Sequence, residues 1–173
     1  MRRFLKLVPA KKTEADCRLV MDWRNDPETL LMFYHSKPKE WVPFLREYKK
    51  DYFKNAGLLP RFALYGGKKI AFLRFSNYKE IQGLQNTVDV DINLRPASRG
   101  RGLGARVLKE AKKWIFSEGH KAAVAEIKVE NKASIRAFKK AGFRFLDRRV
   151  IRVIDIHKNF KIVRLISYAD VKK

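Results

Sequence analysis

One cysteine in 173 residues is too few for an intramolecular disulfide or a cysteine-based zinc site, and Cys17 fits a reducing compartment. The three histidines, His35, His120 and His157, have no metal-like spacing. No apolar run approaches the roughly 20 residues that span a bilayer. The basic start Met1-Arg2-Arg3-Phe4-Leu5-Lys6 meets Pro9, Lys11 and Lys12 before a signal-peptide core can form. These absences predict a cytoplasmic, metal-free protein. Repeats, low-complexity stretches and linkers are also missing, so a single domain over residues 1–173 is expected. Acidic residues are scarce: 18 Asp+Glu against 40 Lys+Arg leave a formal charge of +22. That surplus suggests an anionic partner, whether nucleic acid, phosphorylated ligand or membrane surface. A content of 46% hydrophobic and 12% aromatic residues supports an ordinary core rather than a disordered basic tail.

Periodicity gives the elements. Phe4 to Val8 reads as a strand closed by Pro9, and Thr13 with Asp16 caps a helix that Asn25-Asp26-Pro27 stops. A second helix is expected from Pro38 through Trp41, Phe44, Tyr48 and Tyr52 to about Asn55-Ala56-Gly57. Arg61–Tyr65 and Lys69–Phe75 flank Gly66-Gly67 as a hairpin, and Thr87–Leu94 alternates strictly, with Val88, Val90, Ile92 and Leu94 on one face. A glycine-rich turn then opens a helix ending near Gly119, followed by a strand from Ala122 to Val129 and a helix capped by Asn131. Phe143–Phe145, Val150–Ile156 and Phe160–Tyr168 complete the strands. This order predicts an α/β (α+β) sheet domain.

The segment Arg99-Gly100-Arg101-Gly102-Leu103-Gly104, between a strand and a helix, has the chemistry of an anion cradle. Glycines let the backbone approach a bulky anion, and unsatisfied helix-start amides can hold phosphate oxygens. It matches neither the P-loop nor the dinucleotide fingerprint, and taken alone it reads equally well as an Arg-Gly turn that binds nothing.

With its surroundings, the segment resembles a known family. Arg99-x-x-Gly102-x-Gly104 is similar to the pyrophosphate loop of the GNAT superfamily of acetyl-CoA-dependent N-acetyltransferases. Asn131-x-x-Ser134 with Gly142-Phe143 resembles that family's late helix. The resemblance implies a GNAT-like, mixed, mostly antiparallel twisted sheet of six to seven strands flanked by about four helices, with acetyl-CoA as cosubstrate. It implies that strands Val88–Leu94 and Ala122–Val129 splay to admit the pantetheine arm, that Ile92, Asn93 and Leu94 meet that arm, and that Arg99, Gly100, Arg101, Gly102, Leu103, Gly104 and Ala105 hold the pyrophosphate. Asn131, Ser134 and Phe138 would contact the arm from the other side.

Acyl transfer to an amine needs a proton acceptor facing the thioester. Asp89 is the first candidate, Asp91 the second and Glu126 the third, while a carboxylate in so basic a chain can equally serve a structural ion pair. Where many relatives carry a tyrosine as proton donor, this chain has Phe138, which has no proton to give. Either another group gives the proton, with Tyr168 or a water as candidates, or the thiolate leaves unassisted, as its moderate pKa allows, and no acid is assigned.

Trp23-Arg24-Asn25-Asp26-Pro27-Glu28 resembles N-acetyltransferases of nucleotide-linked amino sugars and, in part, the ribosomal-protein alanine branch. A nucleotide-linked amino sugar is the preferred acceptor, a protein N-terminus the alternative, and Arg24, Asn25, Asp26 and Tyr34 would line its pocket. The rival of another class is a basic nucleic-acid-binding domain. Lysine and arginine spread over nearly every segment, without a nucleic-acid-binding motif, argue against a stable nucleic-acid partner; no membrane partner is expected.

Overall fold

Thr13, Asp26 and Asn131 each turn a side-chain oxygen onto a backbone N–H three residues on, of Asp16 at 3.3 Å, Thr29 at 3.0 Å and Ser134 at 3.0 Å, and each thereby starts a helix. The computed structural model describes residues 4–79 and 81–170; Met1, Arg2 and Arg3 of the basic start lie outside them. The elements run β1 (Leu5–Pro9), α1 (Glu14–Arg24), α2 (Pro27–Met32), α3 (Trp41–Asp51), β2 (Arg61–Tyr65), β3 (Lys68–Tyr78), β4 (Thr87–Leu94), α4 (Leu103–Ser117), β5 (Ala122–Lys128), α5 (Lys132–Lys140), β6 (Arg144–Val153) and β7 (Lys158–Tyr168). The seven strands are hydrogen-bonded in the order β1-β2-β3-β4-β5-β7-β6, mostly antiparallel, in an α/β architecture.

Several boundaries differ from expectation. Asn25-Asp26-Pro27 ends α1 and also starts α2: Asp26 is the N-cap and Pro27 fills the first position, where a missing N–H costs nothing. Among the described residues the helices therefore number five rather than about four. Helix α3 begins at Trp41 rather than at Pro38 and ends at Asp51. Strand β3 runs on to Tyr78, and β6 is continuous through Asp147-Arg148-Arg149, with Ile154–Ile156 forming a 3-10 turn instead of strand. Gly66 and Gly67 both take positive φ, as the hairpin requires.

The chain divides into two compact units, one of residues 1–75 and 92–101, the other of residues 76–91 and 102–173. In the first, Trp23, Phe44, Tyr48, Tyr52, Phe62 and Phe72 build an aromatic core, with Tyr52 stacked on Phe72 at 6.0 Å and Trp23 edge-on to Phe62. Tyr48 is fully buried, and its hydroxyl donates to the carbonyl of Lys11 at 3.0 Å. In the second, Ile81, Ala122, Val124 and Ile166 form a cluster that Tyr78, Leu84 and Leu146 pack against. The apolar face of α4 is Leu103, Val107, Leu108, Ala111 and Ile115, whereas Trp114 is half-buried.

Candidate active site

Strands β4 and β5 are parallel neighbours whose ladder has three rungs: Thr87 opposite Ala122, Val88 opposite Ala123 and Asp89 opposite Val124. Both strands continue, but among the described residues they do not pair beyond Asp89 and Val124. Strand β5 stays paired with β7 as far as Lys128 opposite Ile162. Val90 and Asp91 therefore face Ala125 and Glu126 across a fork with unspent backbone hydrogen-bonding groups, which in a sheet is a place for an extended ligand.

Nine residues beyond Asp91 the chain enters the glycine turn. Gly100 and Gly102 take φ of +71° and +69°, with nothing within 4 Å of an added Cβ. Gly102 is the N-cap of α4 and brings no capping side chain, so the first amides of a 15-residue helix have no side-chain acceptor. The N–H of Arg99 is taken by the carbonyl of Pro96 at 3.1 Å. These features fit an anion held by backbone at Arg101 to Ala105. The guanidinium of Arg99 is engaged elsewhere: it donates to Asp26 at 2.7 Å, to Glu28 at 3.1 Å and to the Thr29 hydroxyl. Burial opposes ionisation of Asp26, but the hydrogen bonds from Arg99 and Thr29 outweigh it and hold the carboxyl below its ordinary range.

The expected strict alternation of β4 breaks down near its end. Val88 and Val90 are buried, yet Ile92 and Leu94 are only half-buried and Asn93 is the buried residue, its Nδ2 lacking a hydrogen-bond partner among the described residues. A buried orphan donor costs roughly 1–3 kcal/mol, so a ligand acceptor there would be favoured.

Register settles which side chains share a face, because directly paired residues project to the same side. Asp89 pairs with Val124, so Asp89, Asp91 and Glu126 project to one face of the second unit. Glu126 pairs with Arg164 on β7, and Arg164 with Asp147 on β6. That last pairing depends on a bulge: an irregularity between Phe145 and Asp147 leaves Leu146 unpaired and turns Asp147 toward Arg164.

Arg164 is only 4% exposed. Its Nε donates to Asp147 Oδ1 at 2.8 Å, its Nη2 donates to Oδ2, and its Nη1 donates to the hydroxyl oxygen of Tyr78 at 3.0 Å. The Tyr78 hydroxyl donates in turn to Glu126 Oε1. Arg149 adds a bond to Asp147 at 3.1 Å. The fork is thus joined to the last strand by one chain of charged hydrogen bonds. Hydrogen bonds from Arg164 pull the Asp147 carboxyl below its usual range, and burial with Glu126 beside it pushes the Tyr78 phenol up.

Sequence reasoning passed over Tyr78, Arg164 and Asp147. The signal that could have found them is Arg164, a lone cation inside Ile162-Val163-Arg164-Leu165-Ile166. Other expected residues have structural partners. Phe138 is a core ring, 2% exposed and edge-on to Phe143 at 4.9 Å. Asn131 spends its side-chain oxygen on the Ser134 amide. Gly104 lies where an added Cβ would touch Ala137 of α5 at 3.6 Å, so part of its purpose is close helix packing. Asn25 is locked in a two-way clamp with Lys39, at 2.9 and 2.7 Å. Arg24 stacks on Phe33 at 4.1 Å, while its buried Nε has no partner among the described residues. Tyr34 is half-buried, and His35 and Ser36 are exposed. Tyr168, one candidate for the substitute acid, pairs with Ala122, four residues and about 13 Å along β5 from Glu126. That is the closed end of the β4–β5 ladder, so Tyr168 is set aside.

Among the described residues no group of His, Cys, Asp and Glu could hold a metal ion, and no helix is long and apolar enough to cross a membrane.

The fold is shared with solved acetyltransferase structures. With yncA of Salmonella typhimurium, solved with its cofactor acetyl-CoA, the TM-score is 0.73 at 19% identity, over 98% of this chain and 96% of that one. With the aminoglycoside acetyltransferase AAC(6')-Ib in complex with coenzyme A it is 0.75 at 18% identity, over 95% of each. With a ribosomal-protein-alanine N-acetyltransferase from Brucella melitensis it is 0.74 at 17%, over 95% and 99%. In sequence, an L-methionine sulfoximine/L-methionine sulfone acetyltransferase of Pseudomonas aeruginosa is 27% identical over 77 residues, so the chain spans about half (45%) of the length of the curated relatives it matches. The model described as the acetyltransferase (GNAT) family matches residues 19–143, well over half of the sequence, and the chain belongs to that family.

Proposed function

We propose that this protein is an N-acetyltransferase that moves an acetyl group from acetyl-CoA to a primary amine by direct attack, with residues 1–173 acting as one catalytic domain. The observation that carries the reading is the three-rung β4–β5 ladder, which leaves an open fork eleven residues before the glycine N-cap of a helix that no side chain caps. Acetyl-CoA, when bound, supplies an acyl group activated as a thioester. The amides of Arg101, Gly102, Leu103, Gly104 and Ala105 hold its pyrophosphate, with Gly100 giving the turn its conformation. The main chain of Ile92 and Leu94, together with Asn93, meets the pantetheine arm, and an amide of β4 polarises the thioester carbonyl. Asn131 and Ser134 border the arm, with Phe138 as the apolar wall behind them. A carboxylate on the shared face, from Asp89, Asp91 or Glu126, takes the amine proton. The side chain of Arg99 fixes α2 rather than binding phosphate.

For the acceptor we favour an amino sugar, nucleotide-linked, with Arg24, Tyr34 and the α2 turn of Asn25 and Asp26 lining its pocket. The family resemblance of Trp23–Glu28 supports this choice. A second reading, a small amino-acid amine, is favoured by the relative that acts on methionine sulfoximine. The cytoplasm is the compartment where acetyl-CoA and such acceptors meet.

Thermal unfolding with acetyl-CoA tests the cosubstrate. Ligand at a hundred times its Kd stabilises by about 2.7 kcal/mol, enough to move Tm by several degrees. Gly102→Glu, which places a negative charge where the phosphates would lie and costs about 1–2 kcal/mol for its left-handed φ, is expected to fold and to lose that shift. No shift for the wild type at millimolar ligand ends the reading. An acetyl-CoA turnover screen over amino-sugar nucleotides, aminoglycosides, methionine sulfone and N-terminal peptides then ranks the acceptors.

A further inference from the structure

The position at which many relatives carry a proton-donating tyrosine is here a buried phenylalanine, and Tyr168 stands at the closed end of the ladder. The Tyr78 phenol does reach the fork: its ring packs on the Ala122–Val124 cluster, and its hydroxyl extends to Glu126. Tyr78, from the last position of β3, gives its proton to Glu126 and receives a hydrogen bond from Arg164 at 3.0 Å on the same oxygen. Glu126 lies two residues past the last rung of β4–β5, on the face it shares with Asp89 and Asp91.

Resting on the acetyltransferase reading, we propose that Glu126 and Tyr78 are one proton relay: Glu126 takes the proton of the attacking amine and Tyr78 gives its own to the departing thiolate. The C–N bond forms and the C–S bond breaks. The amine loses one proton to the Glu126 carboxylate, the sulfur gains the phenolic proton, and the proton on Glu126 crosses the existing hydrogen bond to the phenolate. Both residues end as they began, and no further reactant is needed. Arg164 donates to the oxygen that becomes negative in passing, and it is held in place by the two-point bond to Asp147. Glu126 thereby becomes the preferred base over Asp89 and Asp91, because the phenol bonded to it is a proton donor whose own oxygen is steadied by a buried guanidinium. A raised phenol pKa keeps Tyr78 protonated at neutral pH, as a donor must be.

The test is steady-state turnover of acetyl-CoA by the intact protein, with the fastest acceptor of the screen above. Tyr78→Phe keeps the ring and its packing against the Ile81 cluster, and thermal melts confirm its folding. It is expected to lose about a hundredfold in kcat, the low end for general acid–base catalysis, with KM for acetyl-CoA little changed. The deficit should narrow as pH rises past about 8.5, the ordinary range for a thiol, because a thiolate is then a stable product without a donor. A purely structural tyrosine would give a pH-independent deficit. Glu126→Gln should cost at least as much, and adding Tyr78→Phe to it should cost little more, since a relay breaks once. Tyr168→Phe should change nothing. If the wild type turns over acetyl-CoA and Tyr78→Phe keeps its rate, or loses it equally at every pH, the relay is overturned alone. If the wild type turns over none of the acceptors, the acetyltransferase reading falls and the relay with it.

Discussion

At the scale of single residues, Arg164 decides most. A guanidinium this deeply buried is tolerable only with its partners in place, and removing one leaves an uncompensated charge. Asp147→Asn is expected to cost about 2 kcal/mol at neutral pH, less than the roughly 3–5 kcal/mol of a fully buried pair because Asp147 is 34% exposed. The sign of its pH dependence follows from the lowered carboxyl pKa of the folded protein. The pair's contribution is complete above the unfolded value near ~4 and is lost as pH falls through the lower folded one. Melts of wild type and Asp147→Asn should therefore differ by a constant amount from pH 7 to about 5 and converge toward pH 3. A gap undiminished at low pH would show that Asn disturbs packing instead. None of this was legible beforehand. The lone arginine was visible in its apolar strand, but its partner is chosen by a bulge at Leu146, which no local pattern announces.

At the scale of elements, legibility tracked periodicity. The alternation of Thr87–Leu94 and the caps at Thr13 and Asn131 place β4, α1 and α5 where the sequence predicts them. Helix α2 was hidden because Asn-Asp-Pro ends one helix and begins another with the same three residues. The glycine turn was readable as an anion cradle, but the partner of Arg99 was not, since Asp26 lies 73 residues earlier. That long-range bond makes α2 and the residues before the turn one mechanical piece. Arg99→Ala and Asp26→Asn should each lower Tm, and the double variant should lose about 1 kcal/mol less than their sum. Additive losses would mean that Asp26 serves only as the cap of α2. The fork of β4 and β5 was expected through family resemblance. The lost alternation near Asn93 was not, because a change of facing within a strand leaves no compositional trace.

At the scale of the whole molecule, a formal charge of +22 on 173 residues must repel itself. Salt screens this repulsion, with a Debye length of about 10 Å at 0.1 M, and surface ion pairs are too weak to reverse the balance. Tm is expected to rise between about 20 and 300 mM NaCl, while the apparent affinity for the polyanionic acetyl-CoA falls. Calorimetry and titration at the two salt concentrations check both. A Tm that drops with salt would show that pairs such as Arg99–Asp26 outweigh the net repulsion.

Strand β6 ends the strand order, and Phe145 and Val150 stand exposed on it. Ten residues of apolar-studded strand with an open edge are ordinarily an invitation to another copy of the same strand. Here Arg144, Arg148 and Arg152 recur along that strand, and a second copy would have to bring its own guanidiniums alongside them. Like charge of this kind on an edge strand disfavours its pairing with a second copy of itself, so part of the positive surplus would act as a fence at the end of the sheet.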